Sequence, residues 1–372
     1  MNPLIKWPGG KANEIGRIID YIPSYNRYIE PFFGGGALFF YLKPNKALIN
    51  DVSSSLIEFY NLIKQQDKTL FDLLLCYNNS FSNILSVCND NYTEIFRIYQ
   101  SLKNKITDEA DLSSEIVKLT KNLSDKINYG FTEKLLLDED EFLSHINKMI
   151  VDKMIRTIKN DAKTPFNNDD LKENLITGFT SGYYMYFRKV FNDLNLKKAE
   201  APGIAYKVAN FYFIREYCYG SMFRYNSKGE FNIPYGGMSY NRKNFRNKIE
   251  SMFNADVKSI FKNTDIHCSD FEEFFKSAEL TNRDFMFLDP PYDTDFSDYE
   301  GTDFTKHDQE RLAHSLKKTM AQFILIIKNT DFIESLYKQS FNILSFDNQY
   351  TYNVRSRNER NVKHLIITNI PV

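Results

Sequence analysis

The sequence predicts an α/β protein whose mostly parallel, doubly wound sheet is interrupted by a mainly helical region. Short apolar runs typical of buried strands cluster near both ends of the 372-residue chain and alternate with helical patterns, which is the order of a parallel sheet with crossover helices. Between the ends few strand patterns occur, and apolar residues from Leu143 to Ile158 recur with a helical period. We therefore expect a discontinuous sheet domain from residues 1-66 and 241-372 and a helical domain from 67-240.

The first predicted strand, residues 28–30, enters a glycine turn at 34–36 and then a helix at 37–42. Glycines at the carboxyl end of a strand let the backbone approach a ligand closely, and open α/β sheets bind cofactors there. The next predicted strand ends in Asp51, and an acid at this place suits the two hydroxyls of a ribose. Phe39 stands where a dinucleotide fingerprint has its third glycine, so the pattern disfavours a nicotinamide or flavin cofactor.

Further strand patterns follow in the last third of the chain. One of them ends in another acid, Asp270, and a helix with apolar residues spaced by four is predicted near residues 309–319. These strands are expected at 265–270, 284–288, 323–327, around 341–346, and at 364–368. Together with the two N-terminal strands they supply the predicted sheet.

The most informative segment follows the strand at 284–288, where the chain continues as Asp289, Pro290, Pro291 and Tyr292. Neither proline can donate a backbone N–H, so the segment offers a carboxylate, carbonyl acceptors and a flat ring. A planar amine with two N–H groups and a π face matches these groups, and the exocyclic amine of a nucleobase is such an amine. The alternative is a proline-rich strand end that merely turns the chain.

The charge distribution indicates a second functional surface. Although the net charge of the chain is −1, residues 219–248 contain six basic residues against one acid, Glu230. A local positive excess in a neutral chain is typical of a nucleic-acid-binding surface, and the alternative is a solvated charged face. The basic residues are Arg224, Lys228, Arg242, Lys243, Arg246 and Lys248.

The aromatic residues of the middle region divide into two groups. Those at 183–187 and 206–213 are dense enough that we expect them in the core of the helical domain. Tyr217 and Tyr219 border the basic residues and are candidates for contact with nucleic acid.

Several other functions are disfavoured. The four cysteines show no C-x-x-C spacing, so we expect no zinc site and a reduced, cytoplasmic protein. No apolar run reaches the ~18 residues of a membrane span, and the polar first residues argue against a signal peptide. The run Gly9-Gly10-Lys11 lacks the other residues of a phosphate-binding loop, which excludes an ATPase.

With these features in place, the sequence strongly resembles the Dam-type DNA adenine-N6 methyltransferases. The resemblance covers both ends and the middle of the chain but not residues 67 to about 205, so the segment 77-180 is a large insertion relative to compact members. We expect this insertion to be a helical elaboration that binds a partner. The matching blocks are residues 6–11, 30–36, 50–51, 224–236 and 289–292.

The resemblance implies a Rossmann-like methyltransferase that moves a methyl group from S-adenosylmethionine to the N6 amine of a flipped adenine in double-stranded DNA. It implies catalytic roles for Asp289, Pro290 and Tyr292 and requires no metal. The cofactor-binding residues would be Trp7, Lys11, Glu30, Phe32, Gly34, Gly36, Asp51, Asp270 and Asp289. The DNA-binding residues would be Tyr219, Arg224, Asn226, Asn232, Lys243 and Lys248. The resemblance also allows a cognate restriction endonuclease, acting separately, as a partner. It implies no association with a membrane.

Two rival interpretations remain open on the sequence. A cytosine-N4 or protein-glutamine methyltransferase uses a similar rim, that is, acceptor groups and an aromatic ring at the end of a strand. Such enzymes usually carry Ser or Asn where Asp289 stands, and they lack the block at 224–236. A DNA-binding protein that has lost catalysis would have no chemical need for the complete set of cofactor and rim residues.

Overall fold

A computed structural model of the chain describes residues 1–11, 14–129, 131, 135, 138–291, 304–349 and 361–371. The chain divides into two compact units. The sheet unit comprises Met1–Gln65 and Asn254–Val372, and the helical unit comprises Gln66–Phe253.

Within the described ranges, the sheet unit contains one sheet of seven strands: β1 Arg27–Glu30, β2 Ala47–Asn50, β3 Thr264–His267, β4 Asp284–Leu288, β5 Gln322–Lys328, β6 Asn342–Gln349 and β7 Asn361–Thr368. Their order is β3-β2-β1-β4-β5-β7-β6. Strands β1 to β5 pair in parallel, and β7 pairs antiparallel with β5 and β6. Because β1 lies between β2 and β4, the carboxyl ends of β1 and β4 form a topological switch point, the usual place of a ligand site.

The helices in chain order are α1 Ile15–Ile18, α2 Ala37–Leu42, α3 Ser54–Gln65, α4 Lys68–Asp90, α5 Tyr92–Lys103, α6 Glu109–Asn122, α7 Ser124–Asn128, α8 Glu139–Asp161, α9 Asn168–Asn195, α10 Ile204–Tyr217, α11 Phe245–Met252, α12 Ala255–Phe261, α13 Phe271–Ser277, α14 Lys306–Lys318 and α15 Asp331–Tyr337. Helices α4 to α11 belong to the helical unit, and the others belong to the sheet unit. Short 3-10 turns occur at Ile19–Tyr21, Tyr219–Ser221 and Met238–Arg242.

The core of the sheet unit forms because its central strands are apolar on both faces, as parallel strands covered by helices are. All five residues of β4 are buried, and β5 is buried from Phe323 to Ile327. Leu312 and Leu316 of α14 lie in the same buried cluster as Met286 of β4. The mostly parallel sheet with covering helices that the sequence predicts is confirmed.

Helices α8 and α9 form a closely packed antiparallel pair in the helical unit, and two glycines permit the close approach. A Cβ atom at Gly182 would lie 2.4 Å from Cα of Ile146, and one at Gly178 would lie 3.0 Å from Cα of Ile150. A larger residue at either place would push the helices apart. The helical period predicted for 143–158 is confirmed, since this stretch lies within α8 and turns its apolar face inward.

The aromatic core predicted for the helical unit is also confirmed. Tyr183, Phe187 and Phe213 are fully buried, and the ring centroids of Tyr183 and Phe187 lie 4.8 Å apart. Tyr217 belongs to the same core: it is 1% exposed, and its ring centroid lies 4.7 Å from that of Phe81. The expectation that Tyr217 is available to nucleic acid is therefore wrong, because the end of α10 on which it lies packs into the aromatic cluster.

The junction between the units falls between Phe253 and Asn254, whereas the sequence placed it between residues 240 and 241. Helix α11 packs against α4, and the ring of Phe253 lies 5.0 Å from the ring of Phe71. These contacts keep residues 241–253 in the helical unit. Among the described helices, none is both long enough and apolar enough to cross a bilayer.

Candidate active site

A cavity of about 520 Å³ opens in the sheet unit at the carboxyl ends of its central strands. Its volume lies within the range of small-molecule sites. Of the eleven residues predicted for cofactor binding and catalysis, the cavity wall contains ten, and Tyr292 lies outside the described residues. These ten are Trp7, Lys11, Glu30, Phe32, Gly34, Gly36, Asp51, Asp270, Asp289 and Pro290.

The glycine turn after β1 has a backbone conformation that L side chains rarely adopt. Gly34 and Gly36 have φ angles of +49° and +64°, which lie in the left-handed region. A Cβ atom at Gly34 would lie 2.8 Å from Cδ1 of Trp7, and one at Gly36 would lie 2.5 Å from Cζ of Phe33. The hydroxyl of Tyr60 fixes the turn by donating to the carbonyl of Gly34 at 3.0 Å. The turn thus forms a rigid cavity wall against the indole of Trp7.

Asp51 follows β2 and shapes the same turn. Its Oδ2 accepts from the N–H of Gly34 at 2.8 Å, and its Oδ1 accepts from the N–H of Ser53 at 2.9 Å. Burial raises the pKa of Asp51 above its ordinary value, and the bonds from Ser53 and Gly34 oppose the rise. Each carboxylate oxygen has a second lone pair, so Asp51 can brace the turn and still accept from a ligand hydroxyl.

Asn50, one residue earlier, ties three strand ends together and was not among the predicted site residues. Its Nδ2 donates to the carbonyls of Pro31 and Ser269, each at 3.0 Å, and its Oδ1 accepts from the N–H of Ser269 at 3.0 Å. The side chain is 1% exposed. Its polarity at the end of an apolar strand was a signal in the sequence, but its partners are distant along the chain.

Asp289 is joined to the N-terminal segment by an ion pair. Nζ of Lys11 lies 2.7 Å from Oδ1 of Asp289 and also donates to the carbonyl of Gly9 at 2.8 Å. Burial raises the pKa of Asp289, whereas the charge and hydrogen bond of Lys11 lower it. Lys11 therefore favours the charged carboxylate in a setting where desolvation favours the neutral acid.

A second buried pair in the sheet unit also acts on Asp289. Nδ1 of His364 on β7 lies 3.3 Å from Oε2 of Glu14, and both side chains are buried. The charge of Glu14 raises the pKa of Asp289, and that of His364 lowers it. This pair could not be predicted from the sequence, because its members lie near opposite ends of the chain.

Glu30 ends β1 as a buried acid. The hydroxyl of Tyr28 donates to Oε2 of Glu30 at 2.8 Å, and the side chain of Glu30 is 2% exposed. Burial raises the pKa of Glu30 well above its ordinary value, although the bond from Tyr28 lowers it. The nearby charges of Asp289 and Asp51 raise it further. The cavity wall thus holds three acids, Glu30, Asp51 and Asp289, whose charged forms are disfavoured by burial.

Asp270 lies on the cavity wall three residues after β3, where it caps α13, and it is paired with Arg311 of α14. Nη2 of Arg311 lies 2.7 Å from Oδ1 of Asp270 and 2.9 Å from Oε2 of Glu272. Nη1 of Arg311 lies 2.8 Å from Oδ1 of Asp308. Arg311 was missed in the sequence, where a lone arginine on a helix carries no signal. It binds three acids and so fixes Asp270 at the cavity wall.

The predicted DNA-binding residues all lie in the helical unit, and one of them, Asn226, lies in a turn. Tyr225 and Phe231 pair as an antiparallel bridge. Between them, Oδ1 of Asn226 accepts from the N–H groups of Lys228 and Glu230, at 2.9 and 3.0 Å. Asn226 is thus engaged in the hairpin that it closes.

Beside this hairpin, Nε of Arg224 donates to Oδ1 of Asn232 at 3.2 Å. Arg224 has an exposed side chain, and Tyr219 is 50% exposed. These two residues are therefore open to a partner on the surface of the helical unit.

Lys243 and Lys248 instead have internal partners. Nζ of Lys248 lies 2.7 Å from Oε2 of Glu216, whose side chain is 1% exposed. Nζ of Lys243 donates to the backbone carbonyl of Glu216 and lies 3.8 Å from the ring centroid of Tyr240. Lys248 thus neutralises the buried carboxylate of Glu216 at the end of α10, and Lys243 supplies a hydrogen-bond donor to the carbonyl of the same residue.

The fold and the cavity together define the class of protein to which the chain belongs. A doubly wound sheet, a cavity at its switch point and an Asp-Pro-Pro segment on the cavity wall are the features of a Rossmann-like methyltransferase. Within this class, the chain belongs to the D12 class N6 adenine-specific DNA methyltransferases, whose family model matches residues 7–134 and 124–352. The resemblance inferred from the sequence is confirmed, and the protein is an adenine-specific DNA methyltransferase.

Three relatives support this assignment. The chain is 26% identical over 373 residues to the type II methyltransferase M.CviBI of Paramecium bursaria Chlorella virus NC1A, with coverage of 99% of this chain and 100% of the relative. It is 27% identical over 366 residues to the type II methyltransferase M.MjaIII of Methanocaldococcus jannaschii, with coverage of 92% of this chain and 90% of the relative. It is 24% identical over 319 residues to the DNA N-6-adenine-methyltransferase of Escherichia phage P1, with coverage of 84% of this chain and 28% of the relative.

Proposed function

We propose that the protein transfers a methyl group from S-adenosylmethionine to the N6 amine of an adenine that is swung out of duplex DNA. The observation that carries this proposal is the position of Asp289 and Pro290 on the wall of the same cavity as the glycine turn and Asp51. Groups that suit a nucleobase amine and groups that suit a ribose thus share one cavity. A methyl donor and an acceptor base bound there would meet directly.

The side chains around the cavity suit the chemistry of S-adenosylmethionine. Asp51 and Asp270 provide carboxylate oxygens for hydroxyl groups. The ring centroids of Phe32, Phe271 and Phe304 lie 5.6 to 5.8 Å apart, with the rings tilted or edge-on to one another, and they offer an apolar wall to a purine. When bound, S-adenosylmethionine supplies a methyl group that its positive sulfonium makes electrophilic.

Asp289 and the carbonyl of Pro290 would accept hydrogen bonds from the two N–H groups of the adenine amine. The lone pair of this amine is delocalised into the purine, so the amine is a poor nucleophile. Two acceptors draw the nitrogen toward a tetrahedral geometry and free the lone pair for attack. Lys11 assists by favouring the charged form of Asp289. Alignment and electrostatics are then the main contributions of the protein, and Tyr292 would stack on the base.

An adenine inside a duplex cannot reach such a cavity, so the base must leave the stack at a cost of a few kcal/mol. We propose that the helical unit contacts the DNA through the exposed side chains of Arg224 and Tyr219, with Asn226 and Asn232 shaping the hairpin beside them. Two relatives are named type II methyltransferases. This supports a further proposal, that a separate restriction endonuclease acts at the same DNA site.

The test is to incubate the purified protein with S-adenosylmethionine and genomic DNA from a strain without adenine methylation. The DNA is then digested to nucleosides and analysed by mass spectrometry. We expect N6-methyladenine, and sequencing of the product should place it in one short recognition site. Product consisting only of N4-methylcytosine would refute the proposal.

A further inference from the structure

Gln309 on α14 has a hydrogen bond that the stability of the fold does not explain. Its side chain is fully buried, and its Nε2 donates to the carbonyl of Pro291 at 3.1 Å. Its Oε1 is buried without a hydrogen-bond partner among the described residues. A buried acceptor without a partner is destabilising. An apolar side chain of the same size would fill the space without this penalty, so the donor group calls for another explanation.

The end of α14 that carries Gln309 is held firmly. The N–H of Thr305 donates to Oδ2 of Asp308 at 2.8 Å, and Oγ1 of Thr305 accepts from the N–H of Asp308 at 3.4 Å, which together make a capping box. Arg311, one turn further on, ties the same helix end to Asp270 at 2.7 Å. Gln309 therefore extends its amide toward Pro291 from a fixed base.

The segment that Gln309 contacts has few other means of being held. The peptide units that precede Pro290 and Pro291 have no N–H groups, so hydrogen bonds can orient these units only through the carbonyls of Asp289 and Pro290. A donor on the carbonyl of Pro291 fixes the plane of the peptide that leads to Tyr292. The restricted φ angles of the two prolines pass this constraint back toward Pro290 and Asp289.

We propose that Gln309 is a positioning residue for methyl transfer, which holds the amine-accepting segment in its reactive orientation. This inference rests on the proposed function of Asp289 and Pro290. Gln309 touches neither the methyl donor nor the adenine. It acts through Pro291, and its loss should slow the chemical step without weakening the binding of S-adenosylmethionine.

The first test replaces Gln309 by methionine, which keeps the length of the side chain and removes both the donor and the unpartnered acceptor. We expect Gln309→Met to fold with a stability close to that of the wild type. Its single-turnover rate of methylation should fall on the order of 10²-fold, as for a small misplacement of reacting groups. Its dissociation constant for S-adenosylmethionine should not change. Leu312→Met, at a buried position on the same helix, is the matched control and should methylate at the wild-type rate.

The second test is Gln309→Glu, which keeps the shape and can donate to Pro291 only when its carboxyl is protonated. The ratio of its single-turnover rate to that of the wild type should fall as the pH rises. Wild-type rates for both variants at every pH would overturn the proposal, as would weaker S-adenosylmethionine binding with an unchanged rate. Absence of N6-methyladenine from the wild-type reaction would instead refute the proposed function itself.

Discussion

The two units of this methyltransferase use charge in opposite ways. In the sheet unit, Lys11, Glu30, Asp51 and Asp289 all face one cavity, and the pKa of each of the three acids is raised by burial. In the helical unit, three of the six basic residues that suggested a DNA surface pair with acids that lie outside the segment 219–248. The pairs are Arg242 with Glu173, Arg246 with Glu250, and Lys248 with Glu216.

This difference teaches how far a charge pattern can be interpreted. Burying a charge is costly, so a cluster of ionisable groups around a cavity requires a compensating purpose. A positive excess counted along a segment carries less information, because folding brings in acids that the count omits. Glu173 and Glu216 come from α9 and α10, outside the segment 219–248. The assignment of the cavity as the active site thus has the stronger physical basis.

The largest effect among variants that leave Asp289 intact should come from Lys11→Met. Because Lys11 lowers the pKa of Asp289, its removal should raise that pKa further. The charged carboxylate would then form only at higher pH, so the acidic limb of the pH profile should move upward. Turnover near neutral pH should fall on the order of 10²-fold. Single-turnover rates across the pH range measure both effects.

Lys46→Met, which removes an exposed lysine of the sheet unit, is the matched control and should leave the profile unchanged. If Lys11→Met gave the same acidic limb as the wild type, the proposed link between Lys11 and the charge of Asp289 would be wrong. The comparison between the units would then lose its main support.

The next largest effect should be on stability, in Lys248→Met. The change leaves the carboxylate of Glu216, which is 1% exposed, without its ion-pair partner. We expect a loss of about 2–3 kcal/mol in the free energy of unfolding, somewhat below the usual cost of breaking a buried pair because Lys248 itself is partly exposed. Urea unfolding measures the loss, and adding Glu216→Gln should restore most of it.

Arg246→Met offers a matched control on the same helix, because the pair of Arg246 with Glu250 is exposed on both sides. Such a pair contributes about 0.5 kcal/mol or less. The comparison would be broken by a Lys248→Met variant of normal stability that binds all DNA sequences more weakly and with a smaller salt dependence. That result would make Lys248 a phosphate contact.

The sequence predicted local structure well and long-range pairing poorly. The bounds of the helix at 37–42 and of the strand at 284–288 follow from glycine, apolar runs and proline, which act over a few residues. Eight of the ten predicted cavity residues end or follow a strand, where chain order and the parallel sheet already bring them together. Trp7 and Lys11 lie in the N-terminal segment and were predicted from the family resemblance alone. The roles of Asp289, Tyr292 and the other site residues stay predictions.

Partners far apart in the chain could not be found in this way. The ion pair of Lys11 with Asp289 joins the N-terminal segment to the end of β4, and the bond from Gln309 to Pro291 depends on how α14 packs onto the sheet. Gly182 gave no signal either, because its need for close helix packing depends on Ile146 of another helix. Contacts of this kind cannot be predicted from a single sequence, because they depend on the three-dimensional fold.

A smaller effect is expected from Gly34→Ala. The left-handed φ of +49° and the contact of 2.8 Å to Cδ1 of Trp7 should cost about 1–2 kcal/mol and displace the indole. Trp7 is the single tryptophan of the chain, so its fluorescence reports on the cavity directly. Titration with S-adenosylmethionine should show weaker binding and an altered emission spectrum.

Gly16→Ala is the matched control, since a Cβ atom there would meet nothing within 4 Å. It should leave both stability and emission near the wild-type values. Equal S-adenosylmethionine affinity in Gly34→Ala and the wild type would remove the glycine turn from the proposed donor site.

The last stability prediction concerns Glu30→Gln, whose effect should depend on pH. Burial raises the pKa of Glu30 well above its ordinary value, so the folded state binds this proton more tightly than the unfolded state does. The resulting stabilisation is present at low pH and is lost as the pH rises through the raised pKa. Glutamine has no such proton, so the stability of the variant relative to the wild type should increase with pH. Thermal unfolding across the pH range measures this, and parallel curves would contradict it.

The most direct test of the central claim is the single-turnover methylation rate of Asp289→Asn at saturating S-adenosylmethionine and duplex DNA. The amide keeps the shape of the side chain but is a weaker acceptor for the adenine amine. The account predicts a rate at least roughly 10²-fold lower than that of the wild type, with the affinities for S-adenosylmethionine and DNA little changed, as for an interaction made mainly in the transition state. A near-normal rate of N6-methyladenine formation by Asp289→Asn would contradict it.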